Sequence, residues 1–162
     1  MTLRIITTGG TFDKCYDPLT GQLEFEQGRV PRLLEDARLA PVAVVESLMA
    51  MDSLNMRDDH RQAVLAACRA SPEQRIVIVH GTDTMVQTAA VLAQADLPAT
   101  IVLTGAMVPA TIEHSDAAFN LGFAIACARC LAAGVWVAMN GEVHAWNRVR
   151  KNRVLGVFEA LD

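Results

Sequence analysis

Three short segments combine glycine with threonine hydroxyls in a way that could do chemistry: TTGGT at residues 7–11, HGTDT at 80–84 and TGAMVP at 104–109. Glycine lets the backbone approach a ligand closely, and a threonine hydroxyl can attack a carbonyl carbon once a neighbour takes its proton. Each segment follows an apolar run: LRII, RIVIV and TIVL. A helix-like stretch begins directly after HGTDT, and the N–H groups of a helix's first turn favour a bound anion. A small molecule carrying a carboxylate fits such a crevice. Phosphate is the rival anion, but TTGGT lacks the Gly-Lys-Ser/Thr ending of a phosphate loop and GxGxxG occurs nowhere. A plainer job for Thr82 or Asp83 is to cap the helix that starts at Thr84. Capping alone leaves the joint occurrence of the three segments unexplained.

What must position these segments is legible in the periodicity. Residues 3–7, 42–48, 75–80, 100–103 and 135–139 are short, mostly β-branched runs without strict polar alternation, as expected of strands buried on both faces. Residues 30–38, 57–70, 84–95 and 115–132 repeat apolar side chains at spacings of three and four, the mark of helices with one buried face. Strand and helix alternate, which predicts an α/β fold: a doubly wound, Rossmann- or flavodoxin-like, mainly parallel sheet with helices on both faces, in a single domain. The three segments would then open onto the same sheet edge, where loops after strand C-termini line a ligand crevice. Gly21 and Gly28 bracket a polar stretch, GQLEFEQG, read as a small hairpin or loop beyond the first strand.

Composition narrows the function classes. The chain has 162 residues, 52% hydrophobic and 20% charged, and no run rich in Pro, Gly or Ser that would mark a linker. A formal charge of -4, with no basic cluster beyond Arg148, Arg150, Lys151 and Arg153, argues against a nucleic-acid partner. Residues 121–139 approach the length of a membrane span, but Arg129 interrupts them and Gly134 divides helix-like from strand-like sequence, so no membrane partner is expected. The first residues carry no signal-peptide pattern, and the expected location is cytoplasmic. Four cysteines, Cys15, Cys68, Cys127 and Cys130, are too sparse for a disulfide scaffold. Cys127 and Cys130 form a CxxC inside helix-like sequence with no second ligand pair, so both are expected to pack in the core rather than bind metal.

TTGGTFD, VHGTDTM, LTGAMVP with the downstream HSDAAFNL, and VAMNGEVHAWNRVRK occur in that order. With these motifs the chain resembles the bacterial-type L-asparaginases from about residue 4 to residue 152. The resemblance implies that residues 1–162 form the N-terminal asparaginase domain, with nothing in the sequence corresponding to the family's C-terminal domain. It implies an amidohydrolase that converts L-asparagine to L-aspartate and ammonia, with L-glutamine a weaker substrate, and that needs no cofactor or metal. Thr11 becomes the nucleophile. Thr82, Asp83 and Lys151 become a supporting hydrogen-bonded set, and Tyr16, the only tyrosine, becomes the group that activates Thr11. Ser53 would hold the substrate's α-carboxylate and Asp83 its α-ammonium. Backbone N–H groups near Gly10, Thr11 and Thr82 would face the oxyanion. Without the resemblance, Lys151 reads as a solvated loop cation, Tyr16 as a surface aromatic and Ser53 as a turn former. A homo-oligomer, dimer or tetramer, is also implied.

Two departures stand out. The residue after Ser53 is usually polar in the family, whereas here it is Leu54. An acidic residue that the family's second domain supplies to the tyrosine has no counterpart, leaving Glu24 and Glu142 as candidate partners for Tyr16. Two other functions compete with hydrolysis. A binding module on the same fold would sense an amino acid or a nucleotide without turnover. An amidotransferase component acting on a misacylated tRNA would need a basic surface or an extra domain, against which the acidic composition argues.

Overall fold

The computed structural model describes residues 2–26 and 28–161. The chain opens with β1 (Arg4–Gly9), a single helical turn at Thr11–Asp13, and a hairpin of β2 (Lys14–Asp17) and β3 (Gln22–Phe25). There follow α1 (Arg29–Asp36), β4 (Val44–Met51), a turn at Ser53–Asn55, α2 (Asp58–Ala70), β5 (Arg75–Val79) and α3 (Met85–Gln94). The remainder is β6 (Thr100–Thr104), α4 (Ala117–Cys130), β7 (Gly134–Met139), β8 (Glu142–Ala145), β9 (Val149–Asn152) and β10 (Val157–Ala160).

The main sheet runs β4-β1-β5-β6-β7-β8 and is parallel except for the antiparallel β7–β8 edge. Successive side chains of a strand point to opposite faces, and here both faces are covered. Ile6, Ile76, Ile78, Ile101 and Leu103 pack with Val64 and Leu65 of α2 and with Met85, Ala89 and Leu92 of α3. Their chain neighbours Ile5, Val77, Val79 and Val102 pack on the other face with Val30 of α1 and with Leu121, Ala124 and Ile125 of α4. Two-sided burial is why these strands read as unbroken apolar runs. All five predicted strands and all four predicted helices form within a few residues of their expected ends.

The structure departs from expectation in three places. The polar stretch at residues 21–28 does form a hairpin arm, but its partner is the segment just after the first turn: Lys14 pairs with Phe25 and Tyr16 with Leu23. Gln27, within that stretch, lies outside the described residues. Strand β8 and the β9–β10 ribbon were not expected from the sequence. Finally, Cys127 is buried as expected but Cys130 is exposed, because the last turn of α4 carries it off the sheet-facing side. No helix among the described residues is long and apolar enough to cross a membrane, since residues 121–139 divide between α4 and β7.

Candidate active site

The chain passes from β1 to β4 on one side and then to β5 on the other, so β1 and β5 flank the point where strand order reverses. Open parallel sheets bind ligands outside the strand C-termini at that point. TTGGT ends β1 and HGTDT follows β5, which places both threonine segments there, with TGAM beside them at the end of β6.

Glycine is what allows these loops to touch. Gly10 has φ +72, and a β-carbon on it would lie 2.5 Å from the Gly81 Cα. A β-carbon on Gly81 would lie 2.6 Å from the Ser53 Oγ. The residue before Thr11, the residue before Thr82 and Ser53 therefore meet at one point. The Ser53 carbonyl also accepts a hydrogen bond from the Thr84 hydroxyl at 2.8 Å. Ser53 is 1% exposed, and its own hydroxyl has no hydrogen-bond partner among the described residues. Buried polar atoms are rarely left unpaired, so this hydroxyl is poised for a ligand atom. Leu54, in contrast, is 63% exposed and contributes no polar contact.

Lys151 supplies the charge. Its ammonium donates to the Thr82 hydroxyl at 2.8 Å and to Asp83 Oδ1 at 2.9 Å. It is not a solvated loop cation: its side chain is only 12% exposed. The ribbon that carries it pairs Lys151 with the buried Phe158, whose N–H donates to the Asn140 side-chain carbonyl at the end of β7 at 2.9 Å. Neither Thr82 nor Asp83 caps α3, whose preceding residue, Thr84, makes no side-chain cap either. Both are thus left for the crevice.

A residue not anticipated from the sequence, His80, stiffens this loop. It is fully buried at the end of β5, with Nδ1 2.8 Å from the Gly81 carbonyl and Nε2 2.8 Å from the Thr88 hydroxyl. Nδ1–H donates to that carbonyl, which leaves Nε2 to accept from Thr88. Burial holds its pKa down at about 4, so the ring stays neutral. A histidine ending an apolar strand was the available signal.

The Thr11 side is looser. Thr11 is half-buried and opens the turn that leads into the hairpin. The expected oxyanion donor at Gly10 is already used: its N–H donates to the Met51 carbonyl at 2.9 Å, which leaves Thr11 and Thr82 as the backbone candidates. Tyr16 stands on β2 with 61% of its surface exposed, and no hydrogen bond ties its hydroxyl to Thr11 among the described residues. Glu24 pairs in register with Cys15, on the opposite hairpin face from Tyr16, and Glu142 begins β8 at the far edge of the main sheet. Neither candidate partner therefore reaches it. Lys14 anchors the hairpin base through Asp52 at 2.9 Å, and that contact holds the Asp52 carboxyl below the usual carboxylate range. Two residues after Thr11, burial lifts the Asp13 carboxyl to about 6 against the opposing pull of Arg29. No cluster of His, Cys, Asp or Glu among the described residues could hold a metal ion.

A family description, Asparaginase, N-terminal, matches residues 2–159. The chain belongs to the asparaginase family. The thermostable L-asparaginase from Thermococcus kodakarensis superposes with a TM-score of 0.90 at 28% identity, covering 99% of this chain and 51% of that one. A probable cytoplasmic L-asparaginase from Campylobacter jejuni gives 0.84 at 28% identity, covering 99% and 53%. Among curated relatives, a glutamyl-tRNA(Gln) amidotransferase subunit from Methanococcus vannielii is 34% identical over 153 residues, 87% of this chain and 34% of its own length. The L-asparaginase of T. kodakarensis is 40% identical over 91 residues, 54% of this chain and 28% of its own length. The chain thus spans about half the length of the solved family members and about a third of the curated ones.

Proposed function

We propose that the crevice hydrolyses the side-chain amide of L-asparagine to L-aspartate and ammonia, with L-glutamine a poorer substrate. The observation that carries this reading is Lys151 bonded at once to Thr82 and Asp83 beside the glycine contact that brings Thr11's loop alongside. The Thr11 hydroxyl attacks the amide carbon while its proton is relayed through the Tyr16 hydroxyl, which accepts it and gives its own proton to the leaving nitrogen, and the oxyanion turns toward the Thr11 and Thr82 N–H groups. Collapse expels ammonia, leaving an ester on Thr11. Water, held by the Thr82 hydroxyl that Lys151 orients, then attacks the ester carbon, and one of its protons is relayed through the Tyr16 hydroxyl to the departing Thr11 oxygen, which regenerates Thr11. Ser53 takes the α-carboxylate and Asp83 the α-ammonium. The proposed setting is a cytoplasmic homo-oligomer, which light scattering would test. A monomeric mass would count against it.

A second reading has specific support. Curated relatives named as glutamyl-tRNA(Gln) amidotransferase subunits align with 85–93% of the chain, so the same amide chemistry could supply ammonia to a transfer reaction carried out elsewhere. A coupled ammonia assay on the purified chain separates the possibilities. Steady release from L-asparagine alone supports the hydrolase. Release only after an amidotransferase partner is added supports the second reading, and binding of L-aspartate with no turnover leaves a sensing module.

A further inference from the structure

Asp83 carries more positive charge than the proposed chemistry requires. Its Oδ1 receives Lys151 at 2.9 Å and also lies 3.1 Å from a guanidinium nitrogen of Arg153. The other cations nearby are committed elsewhere, Arg150 to Glu159 at 2.9 Å and Lys14 to Asp52 at 2.9 Å. One carboxylate therefore faces two cations in an open cavity of about 200 Å³ lined by Thr82, Asp83, Gln87, Lys151 and Arg153. Lys151 is tied down by Thr82, whereas the 64% exposed Arg153 meets only Asp83 among the described residues.

An α-ammonium approaching Asp83 meets this excess charge. It must displace Arg153 or sit beside it, and either costs binding energy through lost attraction or like-charge repulsion. A ligand without that ammonium meets no such cost, and its carboxylates are favoured by the same excess. We propose that Arg153 is a specificity-determining residue that offsets the preference for a free α-ammonium, so that the site accepts monoamides of dicarboxylic acids lacking the α-amino group on nearly equal terms with L-asparagine. The inference rests on Asp83 being the ammonium-binding group of the proposed amidohydrolase.

Binding of two product-like ligands that are not turned over, L-aspartate and succinate, tests it by calorimetry on wild type, Arg153→Ala and Arg153→Lys at low salt. The wild type should bind the two with dissociation constants within about threefold. Arg153→Ala should shift the ratio about fivefold toward L-aspartate, the size expected for an exposed ion pair, while Arg153→Lys keeps the wild-type ratio. Measurable binding of both ligands with the same ratio in all three proteins overturns the role of Arg153 and leaves the proposed amidohydrolase standing. Binding of neither ligand to any of them overturns the site reading and this inference with it.

Discussion

The two halves of the crevice are built differently. On the Thr82 side, a hydroxyl, a carboxylate and an ammonium from β5's loop and β9 lie in hydrogen-bond contact, braced by the buried His80. On the Thr11 side, the chain leaves the sheet for a two-stranded hairpin whose strands, among the described residues, pair only with each other, and which exposes Tyr16, Leu19 and Leu23. A lone hairpin is marginally stable in water, whereas a loop between central parallel strands inherits their rigidity. The difference teaches that the half proposed to hold and polarise a ligand is preorganised, while the half proposed to activate the nucleophile rests on a hairpin that leaves Tyr16 exposed.

Lys151 is where the contrast breaks most sharply. Lys151→Met leaves Thr82 and Asp83 without their shared cation and should lower ammonia release on the order of a thousandfold with a native circular dichroism spectrum. A loss under about tenfold would show that the wired side is not where catalysis is supported. Acid titration separates the two sides next. His80, with its pKa held at about 4, refuses a proton that the unfolded chain accepts, so its contribution falls as pH drops from about 6.5 to about 4. Asp13, raised to about 6, holds a proton that the unfolded chain has released, so its contribution rises as pH drops from about 6 toward the ordinary carboxylate value. Between pH 6 and 4 the two oppose each other. Asp13→Asn should therefore expose a stability loss of roughly 3 kcal/mol on acidification, read from urea midpoints at each pH. An equally flat profile in the variant would contradict the buried neutral His80.

Smaller effects come from the glycines and from Ser53. Gly81→Ala drives a methyl into Ser53 and should cost about 2 kcal/mol, whereas Gly21→Ala at the hairpin turn meets open space and should cost only about 1 kcal/mol for its positive φ. Equal costs would mean that the crevice is no more tightly packed than the hairpin. Ser53→Ala removes an unpaired hydroxyl and should change stability by less than about 0.5 kcal/mol while weakening L-aspartate binding, since only a ligand completes its hydrogen bonding. A large stability loss would place Ser53 in the scaffold instead.

Legibility in the sequence follows the same division. The parallel strands were readable because burial on both faces leaves apolar runs such as RIVIV, and Thr82 and Asp83 because HGTDT directly follows such a run, whereas Lys151 was legible only through the family resemblance, since by itself it reads as a solvated loop cation. Strand β8 was missed although Asn140-Gly141, both at positive φ, form the strongest local hairpin signal available. β9 and β10 are short and half polar, VRKN and VFEA, and are held by Asn140 and Phe158 rather than by their own pattern. Spacing along the chain also put Tyr16 near Thr11, but it could not show that the ring faces solvent. Nor could it show that Gly10's N–H is already given to Met51, a contact formed across two strands.

The central claim is that Thr11 is the nucleophile, and ammonia release from L-asparagine by Thr11→Ala tests it most directly. The variant should keep the wild-type circular dichroism spectrum, still bind L-aspartate, and release no ammonia above background. Release at the wild-type rate would contradict the assignment.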